Sequence, residues 1–259
     1  MFRRVAVLIV ALVLVASCTD ANNGSVVSGN EPLIVFAAAD LQFALTEIAA
    51  DFAAAGHPRP TISFGSTGTF SQQIENGAPA DVFFAADERT LADLEAKGLL
   101  LAGTRRPYAI GDIVLVERAG LPPVTTLSDL ARPELRTVAI ADPEHAPYGR
   151  AAREALVRSG AWPGVEPKLV FGENVAQAFQ FVRTGNADAG IVALSVALGL
   201  PGTHYTRIAA SLHDPIVQAA AVLARTRQPD LARAFLAYAN GPAARPILTA
   251  YGFAPTETR

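Results

Sequence analysis

The residues best suited to binding chemistry lie in the turn formed by residues 64–70, FGSTGTF. A strand-like stretch precedes this turn and a helix-like stretch follows it, so Ser66 and Thr67 fall where a helix begins. A helix N-terminus carries unpaired N–H groups and about half a positive charge, and both favour a bound anion. Glycine and hydroxyl residues are also ordinary at helix starts. The turn alone therefore indicates either an anion site or a well-capped helix.

Residues arranged for catalysis are sparse in this chain. The turn lacks the lysine of a phosphate-binding loop, no nucleophile-elbow pattern occurs, and the four histidines show no metal-ligand spacing. Asp81 and Asp87 could pair as an acid and a base, but their positions at a strand end and at a helix start favour structural roles. The sequence therefore favours a binding protein over an enzyme, and we expect no cofactor.

The first residues have the features of an export signal. Arg3 and Arg4 precede an apolar run over residues 5–15, which is short for a membrane span but typical of a signal peptide. Small residues then lead to Cys18, the only cysteine, in a pattern that resembles a bacterial lipobox. We expect residues 1–17 to be a signal peptide and residues 18–31 a flexible tether anchored by a lipid on Cys18. The alternative is a cleavage near Cys18 that leaves a free thiol.

The charge of the exported chain excludes some partners. Removal of residues 1–17 removes two arginines, so the net charge changes from −3 to −5. Binding of nucleic acid or of an anionic membrane surface normally requires a basic patch. We therefore expect no nucleic-acid partner.

From residue 32 onward, strand-like and helix-like stretches alternate. Short apolar runs suit strands buried on both faces, and such alternation predicts a mainly parallel sheet with binding loops at the carboxyl ends of its strands. Asp40 is expected to cap the first helix, and Asp87 the third. The predicted strands occupy residues 33–36, 61–64, 81–85, 137–140, 168–171 and 189–192.

Two longer extended runs, residues 109–116 and 216–224, interrupt this alternation. We interpret them as crossovers between two lobes, with the last two helices packed on the first lobe. The predicted first lobe comprises residues 32–111 and 218–259, and the predicted second lobe residues 112–217. One continuous sheet without a hinge is the alternative.

Six stretches, in order along the chain, resemble the periplasmic molybdate-binding proteins of ABC transporters. This resemblance implies a class II periplasmic-binding-protein-like α/β fold, with two lobes that each contain a mainly parallel sheet flanked by helices, joined by two extended crossovers. It also implies an exported monomer that binds a tetrahedral oxyanion, molybdate or tungstate, and delivers it to an ABC permease in the inner membrane. The matching stretches are residues 36–41, 65–68, 77–87, 142–149, 189–192 and 251–253.

The resemblance also assigns the residues that would hold the anion. Family members bind it through hydroxyls and backbone amides from both lobes, without a cationic side chain. The molybdenum would be held through its oxygens, with Thr67 and Val175 as principal contacts. The matching positions are Asp40, Ser66, Thr67, Tyr148 and Val175.

Asp40 departs from this pattern, because many members have serine or asparagine there. A carboxylate repels a dianion, so three roles are open: a helix cap whose backbone amide faces the ligand, a group that is protonated or accepts a proton from the ligand, or a cation ligand. The second role suggests an alternative function, the binding of a protonated oxyanion such as phosphate or arsenate. A tyrosine that some members carry after the Gly-Ile-Val strand is also replaced, by Ala193.

Overall fold

A computed structural model describes residues 31–256 of the chain. The predicted signal peptide and the predicted lipidation site, Cys18, lie outside the described residues, as does the predicted tether apart from Glu31. No helix within residues 31–256 is both long enough and apolar enough to cross a membrane.

The described chain contains ten strands, nine α-helices and four short 3-10 helices. The strands are β1 (Ile34–Ala38), β2 (Thr61–Gly65), β3 (Val82–Ala85), β4 (Arg106–Gly111), β5 (Ile113–Glu117), β6 (Val138–Ala141), β7 (Leu169–Gly172), β8 (Ala189–Ala193), β9 (Tyr205–Arg207) and β10 (Ile216–Val222). The α-helices are α1 (Gln42–Ala54), α2 (Thr67–Glu75), α3 (Glu88–Ala96), α4 (Pro147–Arg158), α5 (Trp162–Val165), α6 (Val175–Arg183), α7 (Leu194–Leu198), α8 (Pro229–Ala239) and α9 (Ala244–Ala250). The 3-10 helices are Ala39–Leu41, Leu127–Ala131, Glu166–Lys168 and Ala210–Leu212.

The strands form two five-stranded sheets, and each sheet with its helices is one lobe. The first lobe contains strands in the order β2-β1-β3-β10-β4, and the second in the order β7-β6-β8-β5-β9. Three strands at one side of each sheet run parallel, whereas β10 and β5 run antiparallel to both of their neighbours. The predicted two-lobed α/β fold with mainly parallel sheets is confirmed.

Each sheet is covered on both faces by apolar side chains. Helices α1, α8 and α9 pack on one face of the first sheet, and α2 and α3 on the other. The two C-terminal helices thus pack on the first lobe, as predicted. Burial on both faces explains the uniformly apolar strands, since β3 and β6 consist entirely of buried residues.

The chain passes between the sheets at two places. Strand β4 ends at Gly111 and β5 begins at Ile113, so only Asp112 separates the first sheet from the second. The return follows the 3-10 helix Ala210–Leu212 and enters β10, which lies between β3 and β4. Gly111 is needed at this crossing, because a Cβ there would collide with the Tyr148 hydroxyl.

The two helix caps predicted at Asp87 and Asp40 have different outcomes. Asp87 caps α3 as expected, its carboxylate accepting a hydrogen bond from the Thr90 N–H at 2.8 Å. The expected cap at Asp40 is wrong: Asp40 lies inside a 3-10 turn, and Leu41 precedes α1 without a side-chain capping bond. The Asp40 carboxylate instead accepts hydrogen bonds from Tyr148 and Gln218, which are distant in the chain.

Candidate functional site

Four strand-to-helix junctions converge on one small cavity between the lobes. Strands β1 and β2 are adjacent and parallel, as are β6 and β7, so each pair brings two helix starts to the same sheet edge. The cavity has a volume of about 10 Å³, room for about one water molecule. All five residues proposed from the sequence line it: Asp40, Ser66, Thr67, Tyr148 and Val175. A larger groove of about 590 Å³, beside Arg106 and Arg245, contains none of them.

The two neighbouring hydroxyls at the start of α2 have different hydrogen bonds. Thr67 Oγ1 accepts from the Ala86 N–H at 3.0 Å, which leaves its own hydroxyl proton free to be donated into the cavity. Ser66 Oγ instead donates to the His145 carbonyl of the second lobe at 2.6 Å. The Gly68 N–H donates to the same carbonyl at 2.9 Å. Thr67 is thus available to a ligand, whereas Ser66 holds the lobes together.

The start of α6 supplies a donor from the second lobe. Asn174 caps this helix, its Oδ1 accepting from the N–H groups of Ala176 at 3.1 Å and Gln177 at 3.0 Å. Val175 is the first helical residue, so its N–H has no intrahelical acceptor. The Val175 side chain is buried in the core of the second lobe. The Val175 backbone, rather than its side chain, is therefore the group able to bind a ligand.

Asp40 is fully buried and bonded to both lobes. Its Oδ2 accepts a hydrogen bond from the Tyr148 hydroxyl at 2.9 Å and another from the Gln218 amide. Its main-chain oxygen accepts from the Ser195 hydroxyl at 2.8 Å. Its Oδ1 is buried without a hydrogen-bond partner among residues 31–256. The carboxyl group thus links the lobes and retains one free oxygen.

Burial changes the ionisation of this group. Loss of water raises the pKa of Asp40 from 3.8 to about 6, although the hydrogen bonds from Gln218 and Tyr148 and the nearby backbone N–H groups of Asp40 and Leu41 act in the opposite direction. Burial, together with the nearby Asp40 charge, also raises the pKa of Tyr108 and Tyr148 well above the usual value for tyrosine. Both tyrosines are therefore neutral at physiological pH, and Asp40 is the group that titrates.

Two residues that support Asp40 were missed from the sequence. Gln218 of β10 donates from its Nε2 to Asp40 and, at 2.9 Å, to the Tyr148 hydroxyl. Tyr108 of β4 donates to Gln218 Oε1 and so orients this amide. Gln218 had a detectable signal, because it is the one polar residue in the apolar strand IVQAAAV. Tyr108 had none.

The cavity can attract an anion without a basic side chain. None of the described residues that line it is Lys, Arg or His, and Asp40 is the one ionisable carboxyl group among them. The partial charges of the helix starts take the place of a cation. The described part of the chain also contains no group of three or more His, Cys, Asp or Glu side chains able to hold a metal ion. Oxygen atoms of an anion are thus the ligands that suit these donors.

Further contacts between the lobes surround the cavity. Arg150 of α4 pairs with Asp87 at the start of α3, on the opposite lobe. Asp81 has another structural role, because it accepts from the Ile34 N–H at 2.8 Å and from the Thr226 hydroxyl at 2.6 Å. Since Asp81 and Asp87 have these separate partners, the structure offers no acid–base pair there.

Comparison with known proteins identifies relatives across nearly the whole described chain. The sequence profile of the bacterial extracellular solute-binding protein family matches residues 33–254. The molybdate-binding protein ModA of Azotobacter vinelandii is 37% identical over 222 residues, 85% of this chain and 88% of that protein. A putative ABC transporter substrate-binding lipoprotein of Bacillus subtilis, YvgL, is 33% identical over 98% of this chain and 99% of its own length.

A solved structure supports the same relationship. The periplasmic molybdate-binding protein of Azotobacter vinelandii superimposes with a TM-score of 0.81 at 34% sequence identity. The match covers 87% of this chain and 100% of the solved chain.

Proposed function

This chain belongs to the family of bacterial extracellular solute-binding proteins, and we propose that it binds molybdate, and also tungstate, for an ABC importer. Family membership makes it an extracytoplasmic solute-binding protein and not an enzyme. Relatives at 37% identity that are called molybdate-binding proteins support the choice of anion.

The observation that carries this proposal is the convergence of unused donors from both lobes on one cavity. The Thr67 hydroxyl comes from the first lobe, and the Val175 N–H comes from the second. A fully deprotonated tetrahedral anion can accept hydrogen bonds at all of its oxygens, so a site of donors suits it. The cavity volume of about 10 Å³ is too small for such an anion, so the lobes must separate to admit it.

Ligand-induced stabilisation tests the proposal. A ligand that binds only the folded protein raises Tm in proportion to RT ln(1 + [L]/Kd). Micromolar molybdate and tungstate should therefore raise the Tm of the soluble domain, residues 31–259, whereas equal concentrations of sulfate and phosphate should not. A shift with phosphate alone would overturn the choice of molybdate.

Removal of the Thr67 hydroxyl tests the assigned donor. Thr67→Val keeps the side-chain shape but loses a hydrogen bond to a charged ligand, worth about 1.5–3 kcal/mol, so molybdate affinity should fall by at least about tenfold. Thr69→Val is the matched control, since Thr69 lies on the same helix but does not line the cavity. Isothermal titration calorimetry measures both. Equal affinities for the two variants would exclude Thr67 as a donor.

The alternative function, binding of phosphate or arsenate through Asp40, has one observation in its favour. The free Oδ1 of Asp40 could accept a hydrogen bond from a protonated anion. The relatives do not favour this alternative, since those compared are molybdate-binding proteins or a transporter lipoprotein. The same oxyanion panel distinguishes the two functions.

We further propose that a lipid on Cys18 anchors the protein to the outer face of the cell membrane. The B. subtilis relative called a lipoprotein supports this anchor. The protein would act as a monomer and deliver its anion to a membrane permease. Its lobes would move about the two crossings, one at Asp112 and the other between the 3-10 helix Ala210–Leu212 and β10. Radiolabelled palmitate incorporation, compared between the wild type and Cys18→Ala, tests the anchor.

A further inference from the structure

The two oxygens of the Asp40 carboxyl group differ in their surroundings. Oδ2 receives hydrogen bonds from the Tyr148 hydroxyl and from Gln218, whereas Oδ1 is buried with no partner in the described chain. Because two groups donate hydrogen bonds to Oδ2, this oxygen acts as an acceptor and does not carry the proton. Oδ1 is therefore the oxygen left to carry a proton, and Asp40 lines the cavity.

The charged groups around Asp40 do not compensate for a negative charge on it. Tyr108 from β4 and Tyr148 from α4 face the carboxyl group, and both stay neutral because burial raises their pKa. Ser195 of α7 contacts only its main-chain oxygen. The other acidic groups near the site already have cationic partners: Asp112 with Arg207 at 2.6 Å, and Asp87 with Arg150.

An ionised Asp40 would therefore oppose the ligand of the proposed function. Like charges repel strongly in a cavity shielded from water, and no basic residue among the described cavity residues offsets the repulsion. A neutral carboxyl group reverses the interaction, because its O–H becomes a donor to the anion. Burial already raises the pKa of Asp40 to about 6, so the proton is readily acquired near neutral pH.

We propose that binding of a fully deprotonated oxyanion takes up one proton from solvent at Asp40, whose neutral carboxyl group then donates a hydrogen bond from Oδ1 to the anion. The carboxylate, one proton and the dianion give a complex of charge −2, and no covalent bond other than the carboxyl O–H forms. The inference rests on the proposed function, because it takes the ligand to be molybdate or a similar dianion.

Gln218 and Tyr108 are the positioning residues of this arrangement. Tyr108 donates to Gln218 Oε1, which directs Gln218 Nε2 toward Asp40 Oδ2. Because Nε2 can only donate, Oδ2 must accept, and the proton is directed to Oδ1. The site would thus bind the anion through a hydrogen-bond donor that exists only after Asp40 has taken up a proton.

Calorimetry at several pH values tests the proposal on the soluble domain with sodium molybdate. One proton taken up per anion makes Kd rise about tenfold per pH unit, so we expect about a hundredfold weaker binding at pH 9 than at pH 7. Titration at pH 8 in two buffers of different ionisation enthalpy should give an uptake of about one proton per bound anion.

Two variants provide the comparison. Asp40→Asn supplies a permanent amide donor in nearly the same shape, so its Kd should change less than threefold from pH 7 to pH 9, without proton uptake. Asp112→Asn is the matched control, since Asp112 also lies close to Tyr148 but pairs with Arg207 and does not line the cavity. This control should keep the pH dependence of the wild type.

The outcomes separate the two hypotheses. Molybdate binding by the wild type with a constant Kd and no proton uptake would overturn the proton linkage and leave the proposed function intact. Absence of molybdate binding by wild type and Asp40→Asn at every pH would overturn the proposed function itself. The wild-type measurement alone decides the linkage if Asp40→Asn fails to fold.

Discussion

The carboxyl group of Asp40 is buried where residues from both lobes meet. It accepts hydrogen bonds from Tyr148 of the second lobe and from Gln218 of the first. Burying a polar group without a partner costs free energy, and Oδ1 has no partner among residues 31–256. A residue retained at this cost is better suited to ligand binding than to stabilising the fold.

The pKa of Asp40 predicts how the stability of the ligand-free protein depends on pH. The folded state holds this proton up to about pH 6, whereas the unfolded chain releases it near 3.8. The stabilisation is therefore complete below pH 3.8 and is lost as the pH rises through 6, a decrease of the order of 3 kcal/mol. Urea unfolding at pH 4.5 and pH 7.5 should show about 2 kcal/mol of this decrease, because the rest is already lost by pH 4.5.

Asp40→Asn isolates this contribution, because every other titrating group is common to both proteins. The variant should gain stability over the wild type as the pH rises from 4.5 to 7.5. A constant difference between the two proteins over this range would show that the Asp40 pKa is not raised on folding.

The role of a single residue was predictable from sequence only where its neighbours in the chain determine that role. Thr67 lies in a glycine-rich turn, and its place at a helix start follows from the pattern. Asp40 was misassigned as a cap because its decisive partners, Tyr148 and Gln218, lie 108 and 178 residues away. Gln218 could have been found as a lone polar residue in an apolar strand, but Tyr108 has a strand position like many others.

At the scale of elements, the site is made from helix starts. Parallel strands β1 and β2 deliver the 3-10 turn at Ala39–Leu41 and α2, while β6 and β7 deliver α4 and α6. Each helix start brings unpaired N–H groups, so the site gains donors from backbone that any sequence possesses. The side chains are needed mainly to fix those starts in position.

Removal of the Asn174 cap tests whether the start of α6 contributes to the site. Asn174→Ala removes hydrogen bonds to two helix N–H groups and should destabilise the protein by about 1 kcal/mol. Because Val175 follows directly, we also expect weaker molybdate binding. Urea unfolding and calorimetry measure the two effects.

Thr126→Ala is the matched control for Asn174→Ala. Thr126 caps the 3-10 helix Leu127–Ala131, which does not contribute to the cavity. Its loss should reduce stability without changing affinity. Equal affinities for both variants would contradict a role for the α6 start in binding.

The helices and strands were more predictable from the sequence than the contacts between them. Strands β1, β3, β6 and β8 are apolar runs buried on both faces, so their sequences indicated them directly. Strand β9 was missed, because Tyr205–Arg207 is only 3 residues long and incompletely buried. Helix α4 starts at Pro147, since proline fits the first turn of a helix.

At the scale of the whole molecule, the lobes touch through few polar contacts. Two first-lobe groups, the Ser66 hydroxyl and the Gly68 N–H, meet one second-lobe carbonyl, that of His145. A Cβ on Gly68 would lie 2.6 Å from that oxygen, so this approach requires glycine. Such contacts are lost together when the lobes separate.

The Arg150–Asp87 ion pair provides a test of lobe closure. Both partners are partly exposed, so the pair contributes at most about 1 kcal/mol. Arg150→Ala should therefore weaken molybdate binding by up to about fivefold and increase the radius of gyration of the ligand-free protein. Calorimetry and small-angle X-ray scattering measure these changes.

Arg158→Ala serves as the control on the same helix. Arg158 pairs with Glu154 and Asp214, all within residues 112–217, so its loss should leave both affinity and radius unchanged. If the two arginine variants behave alike, the Arg150–Asp87 pair does not influence closure.

The place of β10 in the first sheet affects how the chain folds. This strand comes late in the sequence, yet it separates β3 from β4 and bonds to both. The first sheet cannot be completed until the last part of the chain is available, and such long-range pairing slows folding. The fold therefore delays its own completion until nearly the whole chain has been synthesised.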